Sequence, residues 1–239
     1  MDGNVFLAPM SGVTDQPFRR LVRRFGCGLV YSEMIASREM LLAHRQAPKQ
    51  AKRMTIEASE APVAIQLAGC EPQVMAEAAK LVEDKGAALI DINMGCPVKK
   101  VVSGWAGSAL MRDEDNALRI IEATVRAVKV PVTLKMRLGW DHASLNAPSL
   151  ARKAEAAGIQ LITIHGRTRE QLYGGVADWA FIGRVKEQVK VPIIGNGDVT
   201  APEHAVATPR RNWPGLPSRS TLGWCVAGSD GMLENVTAK

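Results

Sequence analysis

The sequence has no Cys-x-x-Cys pair. Its four cysteines, Cys27, Cys70, Cys96 and Cys225, lie far apart. That spacing argues against a structural zinc site or a disulfide framework and suits a reducing cytosol. No apolar run reaches transmembrane length. Met1-Asp-Gly-Asn4 lacks the basic start of a secretory signal. The expectation is a cytoplasmic, monomeric protein with no metal and no membrane partner. What is present is ordinary for a globular chain: 239 residues, 46% hydrophobic and 23% charged. Such a chain can bury one large core, and α/β barrels reach this size as a single domain. The net charge of +6 suits a polyanionic partner as well as it suits a plain solvated surface.

Strand-like and helix-like runs alternate along the chain. Val5 to Leu7 is a short strand, and Thr14 or Asp15 can cap a helix starting near Gln16. That helix is expected to bury Phe18, Leu21, Val22 and Phe25, to turn Arg19, Arg20, Arg23 and Arg24 outward, and to stop at Gly26. Further strands are expected over 29–31, 63–67, 88–92, 132–136, 161–165 and 193–196. The helices between them fall at 37–44, 72–85, 113–128, 148–157 and 179–189. Seven parallel strand units of this kind fit an α/β fold, best an eight-stranded (β/α) TIM barrel, with a doubly wound open sheet second.

Three strands begin after a proline, Pro62, Pro131 and Pro192, and a polar residue follows four positions later: Gln66, Lys135 and Asn196. Two strands follow a helix-closing glycine, Gly86 and Gly158, and seven positions later stand Asn93 and His165. Equal offsets put equivalent side chains at equivalent heights. An unpaired buried polar group costs about 1–3 kcal/mol. A polar ring at the carboxyl ends of parallel strands is therefore best read as a ligand site. Within it, Asp91-Ile-Asn-Met-Gly-Cys-Pro97 carries one thiol at a strand end.

Taken together, Ala8-Pro-Met-Ser-Gly-Val-Thr-Asp15, Asn93-Met-Gly-Cys-Pro97, Lys135-Met-Arg137, His165-Gly-Arg167 and Gly195-Asn-Gly-Asp198 resemble the bacterial tRNA-dihydrouridine synthases. The resemblance implies an FMN-dependent barrel that reduces the C5–C6 double bond of uridines in tRNA. NADPH or NADH would be the reductant. It also implies that Cys96 is the acid that protonates C5. An ordinary thiol, with a pKa near about 8.5, is mostly protonated at neutral pH and can still donate. By the same resemblance Asn93 meets the uracil edge, and Gln66 and Lys135 touch the flavin ring. Pro9, Met10 and Ser11 pack on that ring, and His165 lies near the ring or the phosphate. Asn196, Gly197 and Asp198 form one side of the phosphate site, and Arg137 and Arg167 face the nucleotide. Lys99 and Lys100 follow the Cys96 loop and are assigned to the RNA backbone. Trp105, Trp140 and Trp179 are expected in core or rim packing.

The resemblance covers about Val5 to Ala207. Beyond it the Gly-Arg pair of the family's phosphate site is missing, and Leu222 to Val226 is a weak candidate for the eighth strand. The expected division is a catalytic barrel over 1–207 and an irregular tail over 208–239, incomplete at the eighth strand and without the family's helical tRNA-binding domain. Two other readings stay open: an FMN-dependent reductase of a small free pyrimidine, and a catalytically defective RNA-binding fragment.

Overall fold

The computed structural model describes residues 5–46, 56–199 and 222–226, the last segment as backbone. The strands are β1 (Val5–Leu7), β2 (Leu29–Tyr31), β3 (Ile35–Ala36), β4 (Val63–Ala68), β5 (Leu89–Met94), β6 (Val132–Arg137), β7 (Leu161–His165), β8 (Ile193–Asn196) and β9 (Leu222–Val226). The helices are α1 (Gln16–Arg24), α2 (Ser37–Gln46), α3 (Pro72–Asp84), α4 (Lys99–Val102), α5 (Glu114–Ala127), α6 (Ala147–Ala156) and α7 (Trp179–Lys186). Every strand pairing is parallel. The path β1–β2–β4–β5–β6–β7–β8–β9 returns to β1, where Phe6 faces Cys225 in register. The two-residue β3 lies outside that circuit and extends the end of β4. The (β/α) barrel expected from the sequence is the observed class, and the weak eighth segment supplies β9. Among the described residues no helix follows β8 or β9, so the last units are incomplete. The tail over 208–239 otherwise lies outside the described residues, as do His204 and the boundary at 207.

The period of two along each strand builds the interior. Phe6, Leu29, Tyr31, Ala64, Leu89 and Ile194 pack as one buried cluster with Leu161 against it. Two positions further along four of these strands stand Gln66, Asp91, Thr163 and Asn196, all buried. Side chains two apart share a face. The barrel thus has an apolar floor and polar upper layers opening at the carboxyl ends. The opposite face of each strand, with Ile65, Ile90, Ile92, Leu134, Met136, Ile162 and Ile164, packs under the helices in a second, larger cluster.

Helix α1 departs from its expected orientation. Arg19 is buried, whereas Leu21 is 40% exposed and Phe25 is 51% exposed. The cause is an ion pair: Arg19 Nε donates to Glu60 Oε2 at 2.6 Å inside the protein. A second donation, from Arg19 Nη1 to the Thr14 carbonyl, is 2.8 Å. Glu60 Oε1 accepts from the Glu57 amide at 3.1 Å. One desolvated guanidinium so fixes the rotation of α1 more strongly than its apolar residues do. The cap follows expectation, with the Asp15 side chain accepting from the Phe18 amide at 3.0 Å.

Removing one partner of a buried pair leaves an uncompensated charge, at a cost of about 3–5 kcal/mol. Arg19→Ala is expected to lower unfolding free energy by that amount in a urea titration. Arg20→Ala, whose pair with Glu57 is at the surface, is expected to change it by about 0–1 kcal/mol. Equal effects of the two substitutions would contradict the role given to Arg19.

Candidate active site at the barrel mouth

The polar ring forms, and it is hydrogen-bonded in two groups. On one side Asn93 Nδ2 donates to Gln66 Oε1 at 2.8 Å, and Gln66 Nε2 donates to Asp91 Oδ2 at 2.6 Å. Thr133 Oγ1 donates to Asp91 Oδ1 at 2.6 Å. On the other side Lys135 Nζ donates to Asn196 Oδ1 at 3.1 Å, and His165 Nδ1 lies 3.0 Å from the same oxygen. Register explains the layout. Asn93 pairs with Lys135, and His165 with Asn196, while Gln66 and Lys135 sit two positions below their neighbours Asn93 and His165. Steps of two keep side chains on the inner face while the strands tilt around the barrel.

Cys96 is half-buried at the edge of this ring, just beyond the end of β5. The backbone that carries it is held from every side. Asn93 Oδ1 accepts from the Gly95 amide at 3.1 Å and the Cys96 amide at 2.9 Å. The Gly95 carbonyl accepts from Arg137 Nε at 2.8 Å. The Cys96 carbonyl accepts from the Ser108 amide at 3.0 Å and from Ser108 Oγ at 2.9 Å. Gly107 lets that return strand of chain come close: its φ is +61°, and a Cβ there would sit 2.8 Å from the Cys96 carbonyl oxygen.

Arg137 and Arg167, expected to face the nucleotide, are both buried, with exposures of 2% and 6%. Arg137 Nη1 donates to the carbonyls of Thr168 and Leu172, each at 2.8 Å. Arg167 donates to the Gly174 and Gly175 carbonyls and, at 2.7 Å, to Asp198 Oδ1. A guanidinium offers a rigid fork of donors, and these loops supply the matching acceptors. Asp198 in turn accepts from the Ala177 amide at 2.7 Å, so its carboxylate braces the loop after β7. Pro9 and Met10 are half-buried and Ser11 is exposed at the end of β1. Lys99 and Lys100 are exposed on α4. Trp105, expected in packing, is 58% exposed.

Burial sets the charge states within the ring. It pushes Asp91 up to about 6, opposed by the hydrogen bonds from Thr133 and Gln66 and by the Lys135 charge. Burial likewise pushes His165 down to about 2, with the charges of Lys135 and Arg137 acting in the same direction. His165 is therefore a neutral ring at physiological pH, and Lys135 is the cation of the mouth. Asp91, Thr133 and Ser108 were missed in the sequence; alternation from Asn93 and Lys135 would have found the first two. Among the described residues no group of three metal-ligating side chains converges, and no helix is long and apolar enough to cross a membrane.

A parallel barrel with a polar, cation-bearing mouth and one anchored thiol places the chain in the (β/α)-barrel class, with a candidate site at the carboxyl ends of its strands. Residues 6–211 match the family model of dihydrouridine synthase, and the chain belongs to that family. It is 61% identical over 200 residues to a probable tRNA-dihydrouridine synthase of Rickettsia bellii, covering 84% of this chain and 61% of the relative. It is 52% identical over 201 residues to tRNA-dihydrouridine synthase B of Xanthomonas campestris, covering 84% and 60%. The chain thus spans about three fifths of the length of these curated relatives. A solved 2,3-dimethylmalate lyase of the PEP mutase/isocitrate lyase superfamily shares the fold, with a TM-score of 0.50 at 15% identity over 82% of this chain and 67% of the lyase.

The depressed His165 has a measurable consequence. Between about pH 6.5 and pH 2 the unfolded chain binds a proton at this residue that the folded chain does not. Stability is then lost as pH falls below about 6.5, by up to about 1.4 kcal/mol per pH unit. Asp91 runs the opposite way between about 4 and 6 and is common to both proteins compared. His165→Gln is expected to flatten the acid side of the stability–pH curve; parallel curves would count against a buried neutral imidazole.

Proposed function

We propose that this barrel, residues 1–207 together with β9, binds FMN and reduces the C5–C6 double bond of a uridine in tRNA, with NADPH or NADH as reductant. One observation carries this reading: the backbone of Gly95 and Cys96 has all four polar groups bonded, so the thiol is presented to the mouth from a fixed point. A positioned acid contributes about 10²- to 10⁴-fold when it is held within reach of the atom it protonates.

The donor set fits the flavin's polar edge. Gln66 offers an amide, Lys135 a cation and His165 a neutral ring, all on the inner face at the carboxyl ends of their strands. Lys135 would lie against the edge where negative charge develops on reduction, and Pro9, Met10 and Ser11 would flank the ring plane. Asn196, Gly197 and Asp198 would supply one side of the phosphate site. When bound, the flavin supplies the hydride that reaches C6. Cys96 holds the proton at Sγ that goes to C5, so the uracil gains one hydride and one proton while the nicotinamide is oxidised. Asn93 uses Oδ1 to hold the Cys96 loop and one Nδ2 hydrogen to hold Gln66, and its other Nδ2 hydrogen would orient the uracil. A uridine of folded tRNA must turn outward to reach such a mouth. Lys99 and Lys100, beside the thiol, would take the adjoining phosphates.

Titrating the purified 239-residue chain with FMN, followed by flavin fluorescence, tests the cofactor. Reduction of unmodified tRNA tests the substrate. Cys96→Ala is expected to keep FMN uptake and to lose tRNA reduction by about 10²- to 10⁴-fold. Turnover like that of the parent would remove the acid role, and reduction of free uridine at the same rate as tRNA would favour the small-pyrimidine reading.

A further inference from the structure

Three loops at the carboxyl end of the barrel meet beside the Cys96 loop in a stack of cations and aromatic rings. The Arg112 guanidinium lies 5.8 Å from the Trp105 ring and 4.8 Å from the Trp140 ring. The Arg169 guanidinium lies 4.7 Å from the Trp140 ring. Trp105 comes from the loop after α4, Trp140 from the loop after β6, and Arg169 from the loop after β7. Trp105 holds a positive φ of 55° and is 58% exposed. Three residues later, Ser108 binds the Cys96 carbonyl, so the stack is tied to the thiol loop.

A cavity of about 430 Å³ adjoins the stack, with Arg112, Trp140, Asp141, Ser144 and Asn146 in its wall. Its wall sets the Arg112 guanidinium beside the acceptors of Asp141, Glu114 and Asn146. Asn146 Nδ2 donates to the Met111 carbonyl and to Glu114 Oε1, both at 2.8 Å, which leaves Oδ1 as an acceptor with no donor among the described residues. The Asp141 carboxylate accepts from Ser144 Oγ at 2.7 Å. Glu114 also pairs with Lys153 at 2.7 Å. Carboxylates in a cavity wall repel phosphate and attract amino groups.

We propose that this face is a second nucleotide subsite: the exposed Trp105 ring stacks on an unpaired base of the RNA, and the cavity takes the amino-bearing edge of an adenine, cytosine or guanine. Alternating guanidinium and indole groups match the alternation of phosphate and base along a single strand. An exposed indole is a stacking platform, whereas an acidic peptide would bring no ring to it and would meet Asp141 and Glu114. The exocyclic amines of those three bases are donors for acceptors such as Asn146 Oδ1 and Asp141, while uracil offers no amine. The stack is joined to the Cys96 loop through Ser108, so it would grip a nucleotide near the reacting uridine rather than the uridine itself. It rests on the tRNA reading above and deepens it.

The test is direct binding of an unmodified tRNA transcript to the full chain at several salt concentrations. Trp105 is at the surface, so Trp105→Ala should fold, as its circular dichroism and FMN uptake will show. It is expected to weaken tRNA binding by roughly tenfold without changing the salt slope, because stacking releases no counterions. Trp105→Phe should recover most of the affinity. The double change Lys99→Ala, Lys100→Ala should instead make the salt slope shallower. Binding by Trp105→Ala equal to the parent overturns the subsite alone. A parent that binds FMN and no tRNA overturns the subsite and the choice of substrate together. Weakened tRNA binding in Trp105→Ala with no FMN uptake by any protein supports the subsite while the reductase reading falls.

Discussion

The arrangement of the mouth depends on one buried carboxylate. Asp91 is inaccessible to solvent, and three side chains above and beside it take their orientation from it. Its two oxygens accept from Thr133 and from Gln66. Because Gln66 must turn its amide nitrogen toward Asp91, its oxygen is left to accept from Asn93. Because Asn93 then turns its nitrogen toward Gln66, its own oxygen faces the amides of Gly95 and Cys96. Each amide could flip in isolation; in series, the acceptor-only carboxylate removes that freedom. The thiol's position is set by a chain of hydrogen bonds that starts in the second layer of the barrel.

That chain also rationalises why a charged group is retained so deep. Burial raises the pKa of Asp91 to about 6, which shows that its anion is held at a cost. The compensation is local: two short hydrogen bonds and the Lys135 charge. Replacing a buried polar network by apolar residues of similar shape is often neutral or favourable for stability. Stability alone therefore does not call for Asp91. Its use is geometric, since an apolar layer could not orient Gln66 and Asn93.

The parts of this protein legible in the sequence are those governed by period. Strand and helix positions followed from apolar spacing, and β7 and β8 have the bounds their patterns give. The matched offsets located the ring, because tilt moves register in steps of two and preserves the inward face. What stayed hidden were partners chosen by long-range contact. Arg19 looks like one of four equivalent arginines on a helix, and only Glu60, arriving from a separate turn, singles it out. Arg137 and Arg167 read as ligand-facing because they stand at strand ends in a family motif. The loops after β5 and β7 bring their carbonyls to these guanidiniums, and no local pattern announces that.

The two buried arginines hold the loops of the mouth together. Arg137 reaches the Gly95 carbonyl with one nitrogen and the loop after β7 with another, so the two loops are cross-linked through a single side chain. Burial lowers its pKa to about 10, still far above neutrality, so the link is charged at neutral pH. Arg167 does the same between the loop after β7 and the turn after β8, through Gly174, Gly175 and Asp198. The loops after β5, β7 and β8 are thereby joined around the barrel rim. On that rim Lys135 is held within the ring, while Lys99, Lys100 and Arg112 remain exposed toward solvent. The positive charge of the rim is thus divided: the buried arginines hold the loops in place, and the other cations face solvent.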